Sequence, residues 1–371
     1  MSEDKTFSEM LKASFKSDDT EEWLDVHFTR PIGLMFALMW RRLGVHPNAV
    51  TILSIFLGLG AAIMFYHTDV WLNLIGVVLL MLANFCDSTD GQLARLTNQK
   101  TLIGRMLDGF ASNMWFFFIY VAICLRLMPQ PLPGAHVIGP VWGAWIWVLA
   151  FIAGVLSHSP QGALADYYRQ IHLFFLLGSK GSELNTSDEQ QAIYDSLPKR
   201  GAFWEHAFYY NYTRYCQGQE MRTPNFQRLF AALLQRYHTK ENIPEQIPDE
   251  WRRRFLDRSR PLMPYTNLLT FNARAITIYI TCLLNCPWVY LLVEIVVFNL
   301  MAVYMHNAHE RLCREMLEAL PESAGGPDGP DAPDGQKAPD GPENPENPEN
   351  PESPDNPENP ESPDNPAQTQ V

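Results

Sequence analysis

The stretch Cys86-Asp-Ser-Thr-Asp-Gly-Gln-Leu-Ala-Arg-Leu-Thr-Asn-Gln-Lys-Thr-Leu-Ile-Gly-Arg-Met-Leu-Asp-Gly-Phe-Ala-Ser112 places three carboxylates, Asp87, Asp90 and Asp108, where one apolar segment ends and the next begins. A charge beside hydrocarbon is costly unless water or a counter-charge receives it, so the stretch predicts a cation site between two membrane spans. Asp87, Asp90, Gly91 and Ala94 follow spacings of three, four and seven and share one helix face; Gly104, Asp108 and Ser112 are four apart and share another. Gly91, Ala94 and Gly104 are small, so the two helices are expected to approach each other closely and bring the carboxylates together. Oxygen-only ligation suits Mg²⁺ or Mn²⁺ rather than zinc.

Outward from this stretch, the hydropathy pattern predicts an all-α polytopic membrane protein with six transmembrane helices. They fall at about 48–66, 70–85, 102–127, 137–157, 268–284 and 288–305. Pro47 stands at the start of the first, where its missing N–H does no harm. Ahead of it, 21–46 carries Trp23, Leu24, Phe28, Ile32, Met35, Phe36, Met39 and Trp40 at helical spacing with Arg30, Arg41 and Arg42 interspersed. This is a juxtamembrane amphipathic helix, lying on the bilayer or packed on the protein's own base.

The remaining divisions are a disordered 1–20, spans 1–4 with the motif over 47–158, a helical insertion over 159–265, spans 5–6 over 266–316 and a disordered tail over 317–371. From Pro321 the chain holds 13 acidic residues and Lys337, a charge of −12, so the stated −13 leaves only −1 for everything before it. Its Pro-Glu-Asn repeats carry no apolar payload to offset ordering entropy. The first 20 residues are polar and show no cleavable signal, so insertion is expected to rely on the spans. Lys and Arg gather at one set of span ends and are missing from the loops at 67–70, 128–136 and 285–287. Both termini and the site are therefore predicted on the cytoplasmic side of an integral, multi-pass protein, in the cytoplasmic membrane if the source is bacterial. Tyr209, Tyr210, Tyr212 and Tyr215 interleave with Arg in the insertion, which beside a membrane reads as interfacial anchoring and not nucleic-acid binding. The six cysteines show neither metal-knuckle spacing nor a disulfide framework.

Asp-x-x-Asp-Gly-x-x-Ala-Arg, eight residues, Gly, three residues and Asp resembles the signature of the CDP-alcohol phosphatidyltransferase family, class I, and Pro47-Asn48-Ala-Val-Thr51 resembles that family's first-helix pattern. The resemblance implies that Asp87, Asp90 and Asp108 hold one or two Mg²⁺ or Mn²⁺ ions against the pyrophosphate of a CDP-linked lipid donor. It further implies that Asn48, Thr51, Gly91, Ala94, Arg95 and Gly104 line the nucleotide side, with Arg95 facing phosphate. An acceptor hydroxyl would attack the β-phosphorus and CMP would leave, in phospholipid biosynthesis, within a homodimer. A polyol such as inositol phosphate is the expected acceptor.

The pattern departs from the family at Ser112, where a fourth Asp that would accept the acceptor's proton is expected. Serine is a poor general base, so a catalytically degenerate member that binds nucleotide or lipid is the alternative reading. A divalent-cation transporter is a third, since intramembrane carboxylates also line ion paths; the Gly91, Ala94, Arg95 spacing argues against it. His158 and Asp166 are the titratable substitutes for a base. Arg274, inside span five, either binds an acceptor phosphate or pairs with an acidic residue, and Glu294 in span six reads as a packing partner.

Overall fold

A computed structural model describes residues 6–12, 15, 17–99, 101–134 and 139–320; the acidic stretch 321–371 and the start of the fourth expected span lie outside them. The described residues form helices and no named strand, with one isolated bridge between Pro131 and Val141. The helices used below are α1 (Arg30–Arg42), α2 (Pro47–Tyr66), α3 (Val70–Leu96), α4 (Leu102–Leu127), α5 (Trp145–Leu177), α6 (Ser187–Ser196), α7 (Phe203–Arg222), α8 (Pro224–Tyr237), α9 (Asp249–Ser259), α10 (Phe271–Leu283) and α11 (Trp288–Glu318).

Five of them, α2, α3, α4 from Gly104, α5 and α11, are long and apolar enough to cross a bilayer. The fifth expected span, 268–284, is not confirmed. Its segment breaks at Leu269 and Thr270, after the short helix Met263–Leu268, and resumes as α10, whose 13 residues rise about 20 Å against a hydrocarbon core of about 30 Å. The second, fourth and sixth expected spans are longer in the structure, because polar residues extend α3 to Leu96, α5 to Leu177 and α11 to Glu318. These extensions carry the chemistry beyond the apolar stretches.

α2 is the central post. It packs along both α3 and α4, whereas α3 and α4 touch each other far less. Gly58 admits the Trp115 indole so closely that a Cβ there would lie 2.1 Å from its ring. The outward faces keep Ile52, Phe56, Trp71, Ile75 and Val78 exposed, as a lipid-facing surface requires.

α1 packs on the protein by one face and leaves another open: Gly33, Leu34 and Ala37 are buried, with Gly33 against Ser88 of α3, while Met35 and Met39 stay exposed. The chain between α5 and α11 includes α6 to α9, of which α8 and α9 share a core with Leu164 to Phe175 from α5 and Ala302 to Met316 from α11. Glu310 of α11 accepts from the Asn225 and Phe226 N–H groups at 2.7 and 3.4 Å, satisfying the first turn of α8.

Arg126 closes the end of the bundle away from the carboxylates. It donates to the Phe65 carbonyl at 2.8 Å, Asn73 Oδ1 at 2.9 Å, the Cys282 carbonyl at 3.3 Å and Asn285 Oδ1 at 2.7 Å. One guanidinium thereby gathers α2, α3, α4 and the turn before α11. Asn285, at φ +57°, supplies the left-handed residue that turn requires.

Candidate metal and nucleotide site

Asp87 and Asp90 project from α3 and Asp108 from α4, and the three offer carboxylate oxygens that all lie within 4.8 Å of one another. The sequence reading attributed this meeting to close packing of α3 on α4 through small residues. The structure assigns it to α2, on which both helices lean. Thr51 of α2 donates to Asp90 Oδ2 at 2.5 Å and orients it. Gly104 is required for a related reason: a Cβ there would sit 3.0 Å from Asn48 Oδ1 and from Thr101 Oγ1, the oxygen that caps α4 by accepting from the Gly104 N–H at 2.9 Å. Asn48 and Thr51 thus act on the site from the first turn of α2.

Gly91 has a different role from the packing one expected of it. Nothing lies within 4 Å of where its Cβ would be, so α3 presents bare backbone to open space beside the carboxylates. Ala94 is half-buried and Arg95 exposed on the same stretch. Arg95 feels the charges of Arg30 and Glu21 as well as those of Asp90 and Asp108.

The donor set fits a hard divalent cation. Asp87 Oδ1 is buried and has no hydrogen-bond partner among the described residues. A carboxylate oxygen out of water with no proton donor is expensive, and a cation among the three groups is the ligand that relieves it. Oxygen ligands alone suit Mg²⁺ or Mn²⁺.

Ser112 lies one turn beyond Asp108 on α4 and is half-buried. His158 is placed elsewhere: its ring meets Phe116 edge-on at 4.5 Å, and its Nδ1 lies 3.4 Å from the Tyr120 hydroxyl. Those residues follow Asp108 by about 12 and 18 Å along α4, so His158 belongs to the aromatic interior and not to the carboxylate end. Asp166 is taken up by the chain that follows α5. Tyr215 of α7 donates to its Oδ2 at 3.3 Å and Gln170 to its Oδ1 at 3.3 Å. Burial, reinforced by the Asp166 carboxylate, pushes the Tyr215 phenol well above its ordinary range and keeps it a donor.

Arg274 takes the second of its two readings. It is 1% exposed and donates Nε to Glu294 at 3.2 Å, Nη2 to Gln161 Oε1 at 2.7 Å and Nη1 to the Leu269 carbonyl, with Phe298 beneath it. Gln161 Nε2 also satisfies the Glu294 carbonyl at 3.1 Å, where α11 widens into a π turn. Arg274 is therefore a packing device, and the preference for a phosphorylated acceptor loses its support.

The sequence reading missed two neighbours. Glu183 stands in the loop after α5, its N–H held by Gln170 Oε1 at 2.8 Å, and its charge acts on Asp108. Arg30 reaches the site from α1. Both are remote in sequence from the motif, and only the spacing of Arg30 on an amphipathic face hinted at a role.

Over residues 44–167 the chain matches the model of the CDP-alcohol phosphatidyltransferase family. The family segment contains Asn48, Thr51, the whole carboxylate motif and Asp166; α1 and the helices after α5 lie outside it. Among curated proteins the chain is 28% identical over 145 residues to a bifunctional IPC transferase and DIPP synthase of Aquifex aeolicus, covering 37% of this chain and 30% of that protein. It is 36% identical over 78 residues to a CDP-diacylglycerol–glycerol-3-phosphate 3-phosphatidyltransferase of Cereibacter sphaeroides, covering 21% of this chain and 35% of that one. The chain spans about a third of the length of these relatives.

Proposed function

We propose that the protein is a membrane phosphotransferase that moves a phospho-alcohol group, such as phosphatidyl, from a CDP-activated donor to an acceptor hydroxyl and releases CMP. The observation that carries this reading is the orphaned Asp87 Oδ1 within a three-carboxylate cluster beside the bare backbone of Gly91. Asp87, Asp90 and Asp108 would hold one or two Mg²⁺ or Mn²⁺ ions. When bound, the metal supplies charge neutralisation on the phosphoryl oxygens and stabilises the departing CMP.

The chain's own groups do the rest. The open face at Gly91 and Ala94 receives the nucleotide, and Arg95 takes a phosphate oxygen. Thr51 keeps Asp90 oriented, with Asn48 and Gly104 fixing the start of α4 against α2. As the acceptor oxygen bonds to the β-phosphorus, the phosphorus–oxygen bond to CMP breaks and the hydroxyl proton passes to a nearby base. Ser112 is not that base; Glu183, whose charge acts on Asp108, is the acid of the insertion assigned to take it. The Lys and Arg distribution puts the site and both termini on the cytoplasmic side, open to a CDP donor, and the family resemblance favours a homodimer. The Aquifex and Cereibacter relatives are, by name, transferases of this general kind; the acceptor here is an alcohol of unassigned identity.

The test is CMP release from CDP-diacylglycerol by the full chain in detergent, with Mg²⁺ or Mn²⁺ and a panel that includes inositol, inositol phosphate, glycerol phosphate and serine. Turnover with at least one acceptor, lost on adding a chelator, is expected. No turnover with any combination refutes the reading.

A further inference from the structure

The acidic cluster has a basic counterpart beside it. Arg95 lies one turn beyond Gly91 and three residues after Gln92 on α3, and Gln92 is the residue that holds Arg30 of α1, so the two arginines are neighbours whose charges act on each other. Arg30 is held there on both sides. Its backbone carbonyl accepts from Gln92 Nε2 at 3.2 Å, and the neighbouring Gly33 packs on Ser88, so the start of α1 is fixed to the motif turn of α3. Two neighbouring cations are mutually unfavourable unless an anion sits with them, just as the carboxylates beside them call for a cation.

That anion is at present Glu21. Its carboxylate meets the Arg30 guanidinium at 2.7 Å with only 8% of the Glu21 side chain exposed, and its charge also acts on Arg95. Glu21 is not on a loose end. Two residues before it, Asp19 accepts from Arg260 Nε at 2.8 Å and lies 3.2 Å from His172 Nε2, tying the strap to α5 and the chain after α9. On its other side Glu22 and Asp25 both accept from Asn272 Nδ2, at 2.8 and 3.1 Å, tying it to α10. The strap thus crosses from the insertion to α10 and delivers one carboxylate to the basic pair.

We infer that Arg30 and Arg95 together form a diphosphate seat, and that Glu21 is its built-in competitor, an internal anion that gives way when the diphosphate of a nucleoside diphosphate ligand arrives. The seat lies outside the 44–167 family segment on one side, because Arg30 and Glu21 precede it. The assignment deepens the proposed function by naming the group that receives the donor's phosphates. Each charge-assisted contact of this type is strong enough to be read in affinity.

The experiment measures binding of two probes, CDP and inorganic pyrophosphate, to the full chain in detergent with Mg²⁺, alongside the melting temperature of each variant. Arg30→Gln is expected to weaken both probes about tenfold, with Arg30→Lys falling between it and the wild type. Glu21→Gln is expected to tighten both several-fold, and Glu21→Gln with Arg30→Gln to lie close to Arg30→Gln alone, because the ion pair through which the competitor acts is already gone. Unchanged pyrophosphate affinity in Arg30→Gln and Glu21→Gln, with melting intact, overturns the seat. CDP binding that depends on Arg95 but not on Arg30 overturns it too, while sparing the proposed donor. Arg30-dependent pyrophosphate binding with no preference for CDP supports the seat and counts against the cytidine donor instead. Failure of the wild type to bind either probe removes both.

Discussion

Two groups of charge within the helical bundle behave in opposite ways. Around Arg274 the donors are consumed by Glu294, Gln161 and the Leu269 carbonyl, and the aromatic ring of Phe298 covers the guanidinium. Around Asp87, Asp90 and Asp108 like charges crowd within 4.8 Å, one oxygen has no donor, and the neighbouring glycine faces open space. A buried charge that the protein satisfies is an element of packing; one that it leaves unsatisfied is waiting for something the chain does not contain. The comparison separates an arginine whose partners the protein supplies from carboxylates whose partners it does not.

The contrast breaks most directly at Asp90. Asp90→Ala is expected to reduce CMP release to background while the melting temperature in detergent holds or rises, since a repelling charge is removed. Retained turnover would dissolve the distinction. Arg274→Ala should show the reverse pattern: a stability loss of about 3–5 kcal/mol from leaving Glu294 buried and unpaired, followed by thermal unfolding, with much of it recovered in Arg274→Met with Glu294→Leu. If instead stability is unaffected and only the Michaelis constant for an acceptor rises, the pair is part of a substrate site.

Ser112→Asp sharpens the comparison from the other side. Adding a fourth carboxylate one turn from Asp108 is expected to raise Mn²⁺ affinity about tenfold, measured by calorimetry, and to raise turnover if the missing acid limits it. A loss of turnover at higher metal affinity would mean that the site is tuned around serine. The smallest effect concerns the strap. Partial burial works against ionisation of Asp19, yet the hydrogen bonds and charges of Arg260 and His172 outweigh it and hold its carboxyl below the ordinary range. A lowered acid pKa stabilises the ionised, bound strap at all pH above about 4 and loses that stabilisation as pH falls through the lowered value. Asp19→Asn at neutral pH should therefore mimic acid, speeding amide exchange over 17–25 with little change in melting. Unaltered exchange would show that Glu22 and Asp25 hold the strap alone.

Much of the site was legible before any coordinates. The i, i+3 and i+4 spacing of Asp87, Asp90, Gly91 and of Gly104, Asp108 follows from helix geometry alone, and α4 begins and ends at Leu102 and Leu127 as expected. The pairing of Arg274 was legible as one of two options, because a lone cation in a span must find some partner but hydropathy does not say which. The fifth expected span is not confirmed for a similar reason: Leu268, Leu269 and Phe271 continue its apolar run, and nothing local announces that the backbone turns at Leu269 and Thr270.

The sequence by itself determined the helices, their apolar faces and the carboxylates on two of them, since these depend on residue spacing along one chain. The tertiary structure decided which helix brings those carboxylates together, that Gly91 opens to space instead of packing, that His158 sits among aromatics, and that Arg30 and Glu21 arrive beside Arg95 from a segment outside the motif. The physical reason is range. Helix spacing acts over a turn or two, whereas a charge 60 or more residues away in sequence becomes a neighbour only after apolar faces have packed, and no local pattern encodes which faces will meet.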